Sequence, residues 1–274
     1  LHKEYRRQRQ MCIRDSYETY VRKAVETGAD FIVSGAGLPL ELPAMVSDTD
    51  IAIAPIVSSA RATALILKYW EKKYHRYPDF IVIEGPEAGG HLGFSRKQLE
   101  EKMDYDMEIS EILKLVRVYE KKAERKIPVA VGGGICDKAR AEHEFMLGAD
   151  LIQVASRFIT TKECDADSAY KDAYLKAQKE DIVLVSSPVG MPGRAIRNPF
   201  LEHVEKGEVQ RPQKCFGCLK HCNPAEIPYC ITEALIHAVK GDTENGLLFC
   251  GAQGFLANQI ETVQDVMEDL LGGL

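Results

Sequence analysis

The sequence predicts an α/β fold: a partial TIM-type (β/α)8 barrel with strands four to eight present and strands one to three missing, followed by a Cys-rich helical C-terminal extension. Three observations carry this. Continuous β-rich apolar runs alternate with helical patterns, as parallel strands covered on both faces do. Most of these runs end in small residues at the C-terminal strand edge, where both barrels and doubly wound sheets build their sites. The last two runs lead into GGGI (132–135) and ASRF (155–158), and a barrel assembles its phosphate site from the loops after its last two strands. No GxGxxG opens a first helix, which argues against a dinucleotide-binding sheet.

The elements follow in order. YETYVRKAVETG (17–28) has a helical pattern and leads into the apolar run FIVSGAG (31–37). IAIAPIVSS (51–59) precedes a helical stretch over 61–74, and FIVIEG (80–85) precedes an amphipathic stretch over about 107–123. IPVAVGGG (127–134) is followed by a helix closing at Leu147-Gly148, and LIQVAS (151–156) completes the series. GADFIV (28–33) and GADLIQ (148–153) share one grammar, a glycine that closes a helix followed by a strand. With 127–134 and 151–156 as strands seven and eight, the three earlier runs are strands four to six. The first three strands are then expected upstream of Tyr17, and a chain without them exposes a strand edge. Residues 1–16, LHKEYRRQRQMCIRDS, carry five basic residues and no apolar face, and are read as a non-native segment. The expected organisation is therefore 1–16 foreign, 17–205 barrel and 206–274 a Cys-rich helical region packing on it, ITEALIHAV (231–239) being its clearest helix.

Composition narrows the function. The 274 residues are 45% hydrophobic and 28% charged with a net charge of −6, the profile of a globular chain with a sizeable core. Nothing suggests a nucleic-acid or membrane partner, because no basic face and no apolar run of about 20 residues occurs. A cytoplasmic protein acting on a small molecule is expected, and a homodimer is compatible with the sequence.

Two stretches carry chemistry. In Gly132-Gly133-Gly134-Ile135, glycines let backbone N–H groups approach an anion at a helix start. Ala155-Ser156-Arg157-Phe158 adds a hydroxyl one unit later, with Arg157 either pairing with a phosphate or lying on the surface. EGPEAGGH (84–91) places His91 after a Gly-Gly pair at the same strand edge. Imidazole exchanges protons near neutral pH, so His91 is the candidate catalytic residue, with Glu84 and Glu87 as local support.

PEAGGHLG, IPVAVGGGI, GADLIQVASRF and GMPGRAIRN together resemble the nitronate monooxygenases, also called 2-nitropropane dioxygenases, and the related flavin-dependent enoyl-acyl-carrier-protein reductases. The resemblance implies a TIM barrel holding FMN without a covalent link. It implies that Gly133, Gly134, Ala155 and Ser156 hold the FMN phosphate, and that Gln153 and Gly35 lie near the flavin. Gly132 and the Glu87, Ala88, Gly89 and Gly90 stretch are expected to line the cofactor site. His91 matches the histidine that the family uses as base or substrate polariser. The family's Gly-Gly-Met-type segment of the first strand has no counterpart here, and its Gly-Thr before Arg-Phe is Ala155-Ser156, which keeps the hydroxyl. Arg194 and Arg197 fall in GMPGRAIRN, read as a turn with a structural role, the alternative being that they reach the flavin face or substrate. The implied reaction oxidises alkyl nitronates or nitroalkanes with O2 to a carbonyl compound and nitrite. The alternative is an enoyl thioester reductase using NAD(P)H as co-substrate.

The tail holds Cys215, Cys218, Cys222 and Cys230, a spacing at which thiolates can hold zinc or an iron–sulfur cluster, the alternative being reduced structural or redox-active thiols. It raises a non-enzymatic reading, an inactive or metal-binding remnant.

Overall fold

The computed structural model describes residues 17–35, 37–101, 103–217 and 222–272; the expectations for residues 1–16 and for Cys218 fall outside these. Its strands are β1 (Phe31–Ser34), β2 (Ala52–Val57), β3 (Ile81–Glu84), β4 (Gly90–His91), β5 (Val129–Gly132), β6 (Leu151–Gln153), β7 (Ile182–Ser186) and β8 (Pro192–Ile196). The helices are α1 (Tyr17–Glu26), α2 (Leu42–Met45), α3 (Ala60–Tyr74), α4 (Arg96–Glu100), α5 (Tyr105–Ala123), α6 (Lys138–Leu147), α7 (Ser156–Ile159), α8 (Ser168–Lys176), α9 (Pro199–Glu205), α10 (Ile231–Val239) and α11 (Val263–Leu271). They fall into two compact units. The first comprises residues to Glu84, Asp104–Val131 and Glu144–Ile152, and the second Gly85–Met103, Gly132–His143 and Gln153 onward.

The first unit is an α/β layer around a sheet of order β1-β2-β3-β5-β6, with β1–β2 and β2–β3 parallel. Its strands read as unbroken apolar runs because both faces are covered: every residue of β3 and β5 is buried. Val33, Ala54, Ile56, Val82 and Ala130 form one cluster of that core. In α3, Ser59 caps the N-terminus by accepting the Ala62 N–H at 3.2 Å, and Ile66, Leu67 and Trp70 are buried. In α5, Ile109, Ile112, Leu113 and Val116 repeat at helical spacing and are buried together. The shared Gly-Ala-Asp grammar proves to be one motif used twice. Gly28 (φ 69°) and Gly148 (φ 108°) close α1 and α6 in left-handed backbone, and Ala29 and Ala149 donate back to the carbonyls of Ala24 and Glu144, the pattern of a Schellman cap. Among the described residues β1 and β6 stand at the two ends of the sheet, and Leu151 on β6 is 48% exposed.

The second unit holds a feature that the sequence reading did not anticipate, the antiparallel sheet β4-β8-β7. GMPGRAIRN is not a turn. Pro192–Ile196 pairs with all five residues of β7, and Gly90 and His91 pair with Arg194 and Gly193. Two neighbouring cores support this sheet: one around Phe200, Tyr229 and Leu247, the other around Tyr174, Ile196 and Leu248. α10 occupies 231–239 as expected and buries Ile231, Ala234 and Ala238. The run read as a strand over 151–156 stops at Gln153, and Ser156 already begins α7. Among the described residues, no helix is long and apolar enough to cross a membrane.

Candidate active site

The loop 85–91 is held from three sides within the second unit. Gly85 N–H donates to the Gly132 carbonyl at 2.8 Å, and Ala88 N–H turns back to the Gly85 carbonyl at 3.1 Å. Arg194, only 9% exposed, reaches from β8 and donates through Nη1 to the carbonyls of Pro86, at 2.9 Å, and Ala88. Burial lowers its pKa, opposed in part by Cys250 and Glu87, and its two hydrogen bonds go to backbone carbonyls. The structural role expected for Arg194 is thus a tether, and Arg197 instead pairs at the surface with Glu205 at 3.1 Å.

The loop delivers His91 to the end of β4. Leu92 N–H donates to the Pro192 carbonyl at 2.9 Å, which sets the register. The half-buried imidazole hydrogen-bonds through Nε2 to the Ser187 hydroxyl at 2.7 Å, and Phe249 packs edge-on against the ring at 5.0 Å. Burial lowers the His91 pKa from its ordinary value, so the neutral ring, a base, is favoured near neutral pH. The partner of the ring is a serine, not a glutamate.

Gly133 and Gly134 follow β5 with φ of 111° and 75°, a left-handed pair that only glycine adopts at low cost. A Cβ on Gly133 would lie 3.0 Å from Ala88 N and 3.1 Å from Gly85 O, so the glycine turn and the histidine loop are pressed together. Gly132 meets Gln153 in the same way, at 3.2 Å from its Cβ. Glu87 lies over Gly134, with Oε2 where a Cβ would be, and its charge opposes an anion on that side. Ser156 accepts the Gly251 N–H at 2.9 Å and keeps its own O–H to donate. A glycine turn and a free hydroxyl fit a phosphate, so these residues suit the terminal group of FMN. Ala155 immediately precedes α7. Gly35 belongs to the first unit, where a Cβ would meet Ile56 Cδ1 at 2.9 Å.

Sequence reasoning missed the segment that joins these parts, Phe249 to Ala252. Phe249 bridges to Ala195 on β8, Cys250 N–H donates to the Arg194 carbonyl at 3.1 Å, and Ala252 N–H donates to the Glu87 carbonyl at 2.9 Å. Gly89 fits against this segment so closely that a Cβ would lie 2.4 Å from the Cys250 carbonyl carbon. The signal available in the sequence was LLFCGAQG (247–254), an apolar run ending in small residues like the others. Cys250 itself is buried, which pushes its thiol pKa up to about 12; it is packing, not a nucleophile.

Arg157 takes neither of its expected places. It is 15% exposed and pairs with Glu261 at 2.7 Å and Asp269 at 2.9 Å, fastening the α11 segment to α7. Of the four tail cysteines, Cys215 is exposed, Cys222 half-buried and Cys230 buried before α10, while Cys218 lies outside the described residues. Among the described residues no three His, Cys, Asp or Glu side chains gather as a metal site would require.

A family model for nitronate monooxygenase matches residues 3–273. A probable nitronate monooxygenase of Staphylococcus aureus (strain Newman) is 31% identical over 134 residues, which is 49% of this chain and 36% of that relative; the match thus spans about a third of the curated protein. Among solved structures, FabK from Thermotoga maritima superposes with a TM-score of 0.73 at 24% identity, covering 96% of this chain and 73% of FabK. Nitroalkane oxidase from Streptomyces ansochromogenes superposes with a TM-score of 0.68 at 18% identity, covering 93% and 68%. These two likenesses show a common fold. With a family model spanning nearly its whole length, the chain belongs to the nitronate monooxygenase family.

Proposed function

We propose that this chain forms the site of an FMN-dependent oxidoreductase acting on nitroalkanes or their nitronates with O2, releasing a carbonyl compound and nitrite. The observation that carries the reading is His91: a half-buried imidazole kept neutral by burial, on a loop pressed against the Gly133-Gly134 turn. The fold reading that accompanies it is an arc of a (β/α)8 barrel, strands four to eight, supported by the sheet order, with β1 and β6 at its two ends among the described residues.

The chain's own residues do three things. Gly133, Gly134 and the Ser156 hydroxyl grip the phosphate. His91 takes the α-proton of a nitroalkane, the C–H bond breaking and its electron pair passing to the nitronate. Arg194 and the 249–252 segment keep that base in place. When bound, FMN supplies the electron transfer between substrate and O2.

A positioned base contributes about 10²–10⁴-fold, so His91→Ala is expected to lower nitrite release from a neutral nitroalkane by that order. Flavin absorbance is expected to survive the substitution. A preformed nitronate needs no base, and its turnover is expected to fall far less. Equal loss on both substrates, or loss of flavin, sinks the role of His91. Because burial lowers its pKa, kcat/KM for the nitroalkane is expected to rise with pH through a value below about 6.5 and to be flat above neutrality. Steady NAD(P)H oxidation with an enoyl thioester and no nitrite from either substrate would assign the reductase reading instead.

Ser156→Ala removes the hydroxyl and orphans the Gly251 N–H. One hydrogen bond to a charged group is worth about 1.5–3 kcal/mol, so FMN affinity in a fluorescence titration is expected to drop about tenfold or more, with Ser156→Thr close to the parent. An unchanged affinity removes Ser156 from the phosphate site.

A further inference from the structure

We propose that Ser187 is a positioning residue for His91: its hydroxyl accepts the Nε2–H of the imidazole and thereby makes Nδ1 the nitrogen that exchanges the proton. The inference rests on His91 being the proton-handling group of the reaction proposed above.

Ser187 is built to hold a fixed direction. It is 7% exposed and opens the five-residue hairpin loop between β7 and β8, next to the last ladder pair, Ser186 with Pro192. Its N–H donates to the Met191 carbonyl at 3.1 Å and its carbonyl accepts the Gly190 N–H at 2.9 Å. Gly190 takes φ of 80°, which closes the turn at little cost because it is glycine. The hydroxyl oxygen also faces the Val189 N–H at 3.4 Å. The ring is fixed from its other sides by β4 pairing and by Phe249, and a Cβ at Gly193 would lie 2.9 Å from the Phe249 ring. Serine and imidazole therefore meet at 2.7 Å through backbone that neither side chain needs to move.

The direction of that bond follows from chemistry. A neutral imidazole carries one N–H and one lone pair. If Ser187 donated to Nε2, the proton would sit on Nδ1 and the only lone pair would already be engaged. The ring would then have no free base. If Nε2–H donates to Ser187, the lone pair is on Nδ1, to which no hydrogen bond is found among the described residues. After proton uptake the same Nε2–H keeps its acceptor, which offsets part of the cost of charging a half-buried ring. A histidine acting as acid in the reductase reading would use the same arrangement in reverse.

The test reads the ring itself as well as turnover. Selective 15N labelling of histidine in the intact protein, with His91→Gln to assign the signals, reports which nitrogen is protonated at a pH where the ring is neutral. The parent is expected to show Nε2 protonated and Nδ1 bearing the lone pair. Ser187→Ala is expected to give a mixture of tautomers and about a tenfold lower kcat on a nitroalkane, the effect of one ordinary hydrogen bond, with KM little changed. Ser187→Thr, which restores the acceptor, is expected to recover the parent tautomer and most of kcat. A parent ring protonated at Nδ1, a tautomer indifferent to Ser187→Ala, or a shifted tautomer with unchanged kcat each overturns the proposal. Because the nitrogen signals need no substrate, failure of the nitronate reading alone leaves them intact and is seen separately, as absence of nitrite from the parent.

Discussion

Gly89→Ala is expected to be the most damaging single-methyl change in the 85–91 loop. The added Cβ would lie 2.4 Å from the Cys250 carbonyl carbon, 2.6 Å from its oxygen and 2.6 Å from Gly251 N. All three are backbone atoms, so no rotamer change relieves them. Overpacking of this kind costs about 1–3 kcal/mol and sometimes more, and the absence of a flexible neighbour places Gly89 at the upper end. Either the 85–91 loop or the 249–252 segment must give way, and with it the seat of His91. Gly90→Ala is the informative comparison. Gly90 has φ of 71°, but its Cβ would meet only the Phe249 ring at 3.8 Å, so the cost is the left-handed backbone alone, about 1–2 kcal/mol. Denaturant midpoints are expected to rank the parent first, Gly90→Ala next and Gly89→Ala last, with nitrite release falling most in Gly89→Ala. Equal midpoints for the two variants would show that the segment is slack.

Arg157→Met is expected to loosen the α11 segment and to cost more than any exposed ion pair of the chain. Arg157 and Glu261 have side chains only 15% and 14% exposed, and around them Lys162 N–H donates to the Glu261 carbonyl while Glu261 N–H donates to that of Thr160. Methionine keeps the packing of the aliphatic stem but leaves the Glu261 carboxylate buried without its cation. Removing one partner of a buried pair costs about 3–5 kcal/mol. The exposed pair Arg197–Glu205, with side chains 40% and 52% exposed, is the control, and Arg197→Met is expected to fall within about 1 kcal/mol of the parent. Limited proteolysis near 257–262 is expected to accelerate in Arg157→Met and not in Arg197→Met. Similar behaviour of the two variants would mean that Arg157 is solvated and the C-terminal segment is held by packing alone.

The strands and helices of the first unit were legible because local pattern and burial agree there. β2 and β3 lie inside apolar runs that need cover on both faces, and α3 and α5 repeat their apolar residues at helical spacing. Gly28 and Gly148 announced two helix ends because left-handed closure is a local demand. The second unit was less readable. Pro192–Ile196 is short and contains Pro and Gly, both poor strand formers. It is a strand only because β7 and His91 pair with it on either side. Arg157 looked like a phosphate ligand or a surface charge, since nothing near position 157 indicates that Glu261, 104 positions later, closes on it.

The same division runs through the site. The sequence by itself marked the residue types on which the proposed site rests: His91, an imidazole at the end of a glycine-rich strand-end loop; Gly133 and Gly134, whose left-handed backbone excludes side chains; and Ser156, with its hydroxyl. These are properties of residue type and of a few neighbouring bonds. Only the tertiary structure decided what holds and tunes them. Ser187 reaches Nε2 from 96 positions away, Arg194 ties down the Pro86 and Ala88 carbonyls, and Cys250-Gly251 fills the notch left by Gly89. A hydrogen bond or a steric limit between distant residues depends on how the chain returns on itself, and no local spacing encodes that return.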